Sequence, residues 1–198
     1  MRNIIKSLIF VSALLLSACC QQKTPGVYNV LDYGAVGDGI TDDAVAIQKA
    51  IDECTANGGG QVIFPSGKTF LSGPVELKSN VDYHLEINSV WRANPDESIY
   101  HLSAFKENEG EGMMWIWTKD TKNISITGQG TIDGNGIAFM GAELHDSYEL
   151  KELANPGFDP RPHVLTLMGV EKLQIRDVTI CNGAYWTVHL IGCYDASI

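Results

Sequence analysis

Basic residues are scarce in this sequence: 14 Lys and Arg stand against 24 Asp and Glu in 198 residues, a formal net charge of −10. A nucleic-acid partner needs a clustered basic face, so that class is set aside, and any binding of an acidic polymer has to be local. Cysteine is limited to Cys19, Cys20, Cys54, Cys181 and Cys193, with no CxxC pair, which excludes zinc-ribbon and thioredoxin-like readings. Cys181 and Cys193 read as buried free thiols inside a strand stack, with pairing in an oxidising compartment as the alternative. The glycine-rich run GAVGDG from Gly34 lacks the Gly-Lys-Ser/Thr of a phosphate loop and has no βαβ context.

The apolar run Ile9 to Leu16 follows Arg2 and Lys6 and is too short to span a bilayer. Residues 1–18 therefore read as a targeting segment. Its end, Leu16-Ser17-Ala18-Cys19, resembles the bacterial lipobox. That resemblance implies cleavage before Cys19, lipidation of its thiol, and an envelope protein held to the membrane by a lipid anchor. Cys20, rather than aspartate, favours the outer membrane; a secreted or periplasmic protein is the alternative. Residues 19–26 read as a polar tether and residues 27–198 as the N-terminal part of one folded domain.

The domain opens on a short strand, a glycine turn and an amphipathic helix. Thr41, Asp42 and Asp43 suit a helix N-terminus, and Val45, Ile47, Ala50, Ile51 and Cys54 recur at spacings of three and four. Adjacent residues of a helix start do not converge on one substrate atom, so Asp42 and Asp43 read as structural. Short strands follow. Between Val81 and Val90 the residues Val81, Tyr83, Leu85 and Ile87 alternate with polar ones, placing His84 on the outer face. Two segments then repeat: KNISITGQGTIDG from Lys122 and EKLQIRDVTICNG from Glu171, with a third copy starting at Tyr194. From Ile175 to Ile198 is 23 residues, the length of one solenoid coil, so Ile126 and Ile175 are expected to stack. The longer interval between the first two copies holds an insertion, Ala138 to Pro160. Within it Glu143, His145, Asp146 and Glu149 have helical spacing; a solvated helical loop is the expectation, a metal site the alternative.

The order Asp32, Tyr33, Gly34, Ala35, Gly37, Asp38, Gly39, Asp42, Asp43, Ala46, Ile47, Gln48, Ala50, Ile51, Asp52 resembles the N-terminal signature of pectate-lyase-like proteins, among them polygalacturonases and phage tailspikes. Gly130-Thr131-Ile132-Asp133-Gly134, Arg161-Pro162, and Asn182, Trp186 and His189 in N-x-x-x-W-x-x-H spacing resemble family 28 glycoside hydrolases, the polygalacturonase group. The resemblance implies an all-β fold: a right-handed parallel β-helix, a solenoid with an N-terminal capping α-helix, truncated here at its C-terminal end. It also implies metal-free, cofactor-free, inverting hydrolysis of galacturonide linkages by a protein that is monomeric when full length. The partner is a pectic polysaccharide or oligogalacturonide.

The family's N-T-D, G-H-G and R-I-K strings are absent, and no Asp pair follows the N-x-x-x-W-x-x-H coil. Inversion needs an acid and a base about 6.5–9.5 Å apart, and no pair in this chain matches the family's position. No catalytic residue is assigned; the catalytic aspartates are expected beyond residue 198. Substrate-binding candidates are His189, Tyr185 and Arg161. If Trp186, Val188 and Leu190 face the core, Tyr185, Thr187 and His189 face outward. Arg161 is expected to pair with an acid of the insertion or with a uronate. A pectate-lyase-like enzyme and a non-catalytic β-helix adhesin or tailspike-like module are the alternatives.

Overall fold

A computed structural model describes residues 26–105, 112–145, 147–150, 159 and 161–198. The targeting segment, Cys19, nearly all of the tether and Asp146 lie outside the described residues.

The chain winds through three parallel sheets, visiting each in turn. The first sheet stacks Gly26–Asn29, Gly60–Phe64, Val81–Leu85, Lys122–Gly128, Glu171–Arg176 and Tyr194–Ser197. The second stacks Asp38–Asp42, Thr69–Ser72, Val90–Ala93, Thr131–Asp133 and Thr179–Cys181. The third stacks Val75–Glu76, Met113–Lys119, Pro162–Met168 and Val188–Ile191. One coil is thus Val81–Leu85, Val90–Ala93 and Met113–Lys119, after which the chain re-enters the first sheet. This is the right-handed parallel β-helix.

The repeat read from the sequence is the stacking register. Ile126 pairs with Ile175, Ile124 with Leu173, and Thr131 and Ile132 with Thr179 and Ile180. Glu171 pairs with Tyr194, one 23-residue coil on. Where the chain enters the first sheet, Asn80 and the second strand residues Asn123, Lys172 and Asp195 all take positive φ, between 53° and 64°. Each precedes a strand residue stacked on its neighbour. Asn and Asp tolerate this left-handed region better than most residues, and Asn123 Nδ2 also donates to Asn80 Oδ1 at 2.7 Å.

Ala44–Ala56 is the single α-helix among the described residues, and it packs across the first coil with Ala46, Ile47, Ala50, Ile51 and Cys54 buried. Two expectations about it are corrected. Val45 is exposed, because the buried face centres on Ala46, Ile47 and Ala50. Thr41 and Asp42 belong to the strand before the helix, and Asp43 makes no side-chain cap. The Asp43 carboxylate turns back instead, accepting from the Val36 and Gly37 amides at 2.7 and 3.0 Å. It is a buried brace for the glycine turn, and desolvation raises its pKa against the pull of those two amides. Asp42 caps the helix entry through Ala44 N–H.

Inside the coils Phe64 stacks on Trp91, which meets Trp115 edge-on. Both indole N–H groups donate to Ser72 Oγ, at 2.7 and 3.2 Å, so one buried hydroxyl satisfies two large core residues. Ile87 is exposed rather than inward-facing, because the strand ends at Leu85 and residues 86–89 form a turn. Cys54, Cys181 and Cys193 are free thiols. Cys54 is buried, but the expectation of burial is corrected for Cys181 and Cys193, which are only half-buried because they lie at the last strands of the stack.

The insertion does not supply the expected helical loop. Met140–Glu143 and Tyr148–Leu150 form an antiparallel hairpin, so the spacing of Glu143, His145 and Glu149 follows two strands and not one helix face. Among the described residues no three His, Cys, Asp or Glu side chains gather as a metal site.

Candidate functional site

The third sheet carries the densest chemistry. His163 is the second residue of the strand Pro162–Met168, and the strand Val188–Ile191 stacks on it with Thr166 opposite His189 and Leu165 opposite Val188. The same offset carried back by two residues places Trp186 over His163. Their rings stack at 5.2 Å with an interplanar angle of 18°. Tyr185 stacks on His163 at 5.1 Å, Trp186 meets His189 edge-on at 4.4 Å, and Phe105 closes the group at 5.7 Å from His163. The Arg161 guanidinium lies 5.0 Å from the centre of the Tyr185 ring.

The three binding candidates, His189, Tyr185 and Arg161, therefore fall in one patch. Trp186 corrects the expected phase: it is 49% exposed and does not point to the core. The physical reason is that residues 182–187 form a bend and not a strand, so period-two alternation starts only at Val188. From there Val188 and Leu190 continue the columns of Leu165 and Leu167, and His189 lies on the opposite face. His163 and Phe105 were not singled out from sequence. His163 is legible in retrospect, because a 23-residue step back from Trp186 lands on it.

Electrostatics set the patch apart. Arg161 forms a two-pronged pair with Asp159, Nε lying 2.9 and 3.0 Å from the two carboxylate oxygens. The partner is thus an acid of the insertion. His163 is fully buried, and that burial, followed by the neighbouring His189, pushes its pKa down to about 4. His189 is shifted down as well, through desolvation. Their Nδ1 atoms are 3.0 Å apart. The patch thus offers two half-exposed or exposed aromatic rings, a cation held in place and neutral imidazoles: a surface for stacking on and hydrogen-bonding to a polar ring compound.

Asn182, another motif residue, is structural. Its Nδ2 donates to Asp133 Oδ1 at 3.0 Å, while Asp133 also accepts from Asn135 N–H and from Arg92 Nε at 2.9 Å. Desolvation would raise the Asp133 pKa, but these three donors and the Arg92 charge together hold it below the usual carboxylate range. Asp133 of the Gly-Thr-Ile-Asp-Gly motif and Asn182 of the Asn-x-x-x-Trp motif are therefore parts of one brace between neighbouring coils.

A second concavity lies on the outer face of the first sheet, between Gln61, Asp82, His84, Thr127, Gln129 and Arg176. Here Thr127 Oγ1 donates to Asp82 at 2.8 Å and receives the His84 Nδ1 proton at 2.9 Å. It contains no aromatic platform, so the third-sheet patch is the better candidate for a sugar site.

Comparison with known proteins agrees with this geometry. The family described as rhamnogalacturonase A/epimerase, pectate lyase-like, matches residues 27–84. Mannuronan C5-epimerase AlgE1 of Azotobacter vinelandii is 32% identical over 160 residues, which is 71% of this chain and 11% of that protein. Plasmin and fibronectin-binding protein A of Streptococcus pneumoniae is 42% identical over 115 residues, 54% of this chain and 15% of that protein. The exopolygalacturonase structure from Thermotoga maritima superposes with a TM-score of 0.70 at 26% identity, covering 88% of this chain and 46% of that one. The chain thus spans less than half the length of each of these relatives. By its coils, its cap and these similarities, the chain has the right-handed parallel β-helix fold and is similar to polygalacturonases and pectate-lyase-like proteins.

Proposed function

We propose that the whole protein hydrolyses galacturonide linkages of a pectic polysaccharide. On this reading the third-sheet patch is a sugar subsite, and the inverting acid and base lie outside these 198 residues. The observation that carries the subsite is the exposed Trp186 ring set beside Tyr185, His189 and the Arg161 guanidinium. An aromatic face packs on a sugar ring, and a nearby cation and imidazole suit a uronate carboxylate and hydroxyls. Relatives named for mannuronan and for polygalacturonan, both uronic acid polymers, support the substrate class.

The test is titration of the chain with trigalacturonate, followed by tryptophan fluorescence and calorimetry. Trp186→Ala should weaken binding about tenfold, since ring stacking contributes about 0.5–1.5 kcal/mol in addition to the apolar area it buries. Unchanged affinity in Trp186→Ala would remove the patch from the binding site. The similarity to a plasmin- and fibronectin-binding protein favours a second reading, a non-catalytic surface adhesin. It predicts capture of fibronectin and no affinity for the sugar.

We also propose that the protein is lipid-anchored at the bacterial envelope through Cys19, on the strength of Leu16-Ser17-Ala18-Cys19. Intact mass and proteolytic mapping of the membrane fraction should place a diacylglycerol adduct on Cys19. Unmodified protein starting elsewhere in the soluble fraction would refute it.

A further inference from the structure

The His163–His189 contact fixes where the protons are. Two imidazole nitrogens 3.0 Å apart cannot both present lone pairs and cannot both carry hydrogen, so one proton lies between the two Nδ1 atoms. The position of the second proton on each ring then follows. If His189 donated, neutral His163 would carry its hydrogen on Nε2. That atom is fully buried and has no hydrogen-bond partner among the described residues. A buried N–H without an acceptor forfeits its full desolvation cost. Nε2 faces Gly112 and the Phe105 ring: a β-carbon placed on Gly112 would lie 3.5 Å from Nε2 and against that ring. Buried N–H groups left without an acceptor are rarer in folded proteins than acceptors left without a donor. If His163 donates instead, its Nε2 is the bare nitrogen, and His189 carries its hydrogen on Nε2. The low pKa of His163 keeps that ring neutral at pH 7, which preserves this single-proton arrangement.

We propose that His163 is a positioning residue: it donates Nδ1–H to His189 and so presents His189 on the outer face of the third sheet as an Nε2–H donor. A donor fixed there recognises an acceptor, a carboxylate or hydroxyl oxygen of a sugar, and not a second donor. The identity of that ligand rests on the proposed function; the proton assignment does not. The arrangement also explains a fully buried histidine in a column whose next members, Leu165 and Leu167, are apolar. His163 supports the Tyr185 and Trp186 rings by stacking, and through its proton sets the polarity of the only other imidazole in the patch.

The experiment is two-bond proton–nitrogen NMR on the full chain at pH 7, which distinguishes the two neutral tautomers. His163 should appear as Nδ1–H and His189 as Nε2–H. His163→Phe keeps a stacking ring but removes the donor; His163→Asn restores an amide N–H near the same place. His189 should become a tautomer mixture in His163→Phe and return towards Nε2–H in His163→Asn. Trigalacturonate affinity should fall about threefold to tenfold in the first variant and recover in the second. Melting curves of both variants identify loss of fold, and the wild-type spectrum tests the assignment even if both variants unfold. His189 found as Nδ1–H in the wild type, or unmoved by His163→Phe, overturns the proposal. Correct tautomers with no sugar binding by the wild type overturn the ligand class while upholding the positioning role.

Discussion

Gly128→Ala should strongly destabilise the β-helix, while Gly67→Ala should be tolerated. Both glycines take positive φ, 108° and 70°, so both replacements place an alanine in the left-handed region, at about 1–2 kcal/mol. They differ in what the new methyl meets. At Gly67 nothing lies within 4 Å. At Gly128 the β-carbon would sit 2.0 Å from the Leu85 carbonyl oxygen and 2.8 Å from its carbon, backbone atoms of the coil below. Leu85 is the register partner of Gly128, and its carbonyl accepts from Gly130 N–H. The methyl can fit only if the two coils separate there, breaking that bond. Overpacking adds about 1–3 kcal/mol to the left-handed strain, so Gly128→Ala should cost about 2–5 kcal/mol. That is a large part of the stability of a typical domain, about 5–15 kcal/mol. Chemical denaturation of the two variants beside the wild type checks it, and equal midpoints for the two would refute the register.

That register is also where the sequence was most readable. Each coil repeats its side-chain pattern on its neighbour, so Ile124 and Ile126 could be set against Leu173 and Ile175 before any coordinates. The same arithmetic places His163 under Trp186. What was not readable lies where the regular pattern stops. The outward turn of Trp186 depends on a bend over residues 182–187, and the exposure of Ile87 on a strand that ends two residues earlier. Alternation of apolar residues continues in the sequence through both places, but the backbone no longer alternates. The role of Asp43 was hidden for a related reason. A carboxylate beside a helix start resembles a cap, and only the fold of GAVGDG brings the Val36 and Gly37 amides to it. The candidate site was legible as three residue names, and not as a cluster, because Phe105 reaches it from a distant part of the chain.

Asp133 should prove to be the most acid-sensitive brace of the coil stack. Its side chain is 11% exposed and holds Arg92, the Asn135 amide and the Asn182 side-chain amide together, across three coils. Asp133→Ala leaves those donors facing a void, and breaking a buried, hydrogen-bonded charge costs about 3–5 kcal/mol. At neutral pH the variant should lose about that much stability. It should also lose trigalacturonate affinity, because Asn182 leads directly into the bend that carries Tyr185 and Trp186. Asp133→Asn should lie between the two, since it keeps the shape but not the charge. The folded-state pKa of Asp133 is depressed below its ordinary value of about 3.9. The fold therefore favours the ionised form, and the stabilisation is complete above the unfolded-state pKa. It is lost as pH falls from near 4 through the lower folded-state value. The stability gap between wild type and Asp133→Asn should accordingly be constant from pH 7 to about pH 5 and shrink below pH 4. Urea melts of both proteins across that range supply the measurement. A gap that widens on acidification would mean that the carboxyl is held protonated in the folded state and that Arg92 does not pair with it.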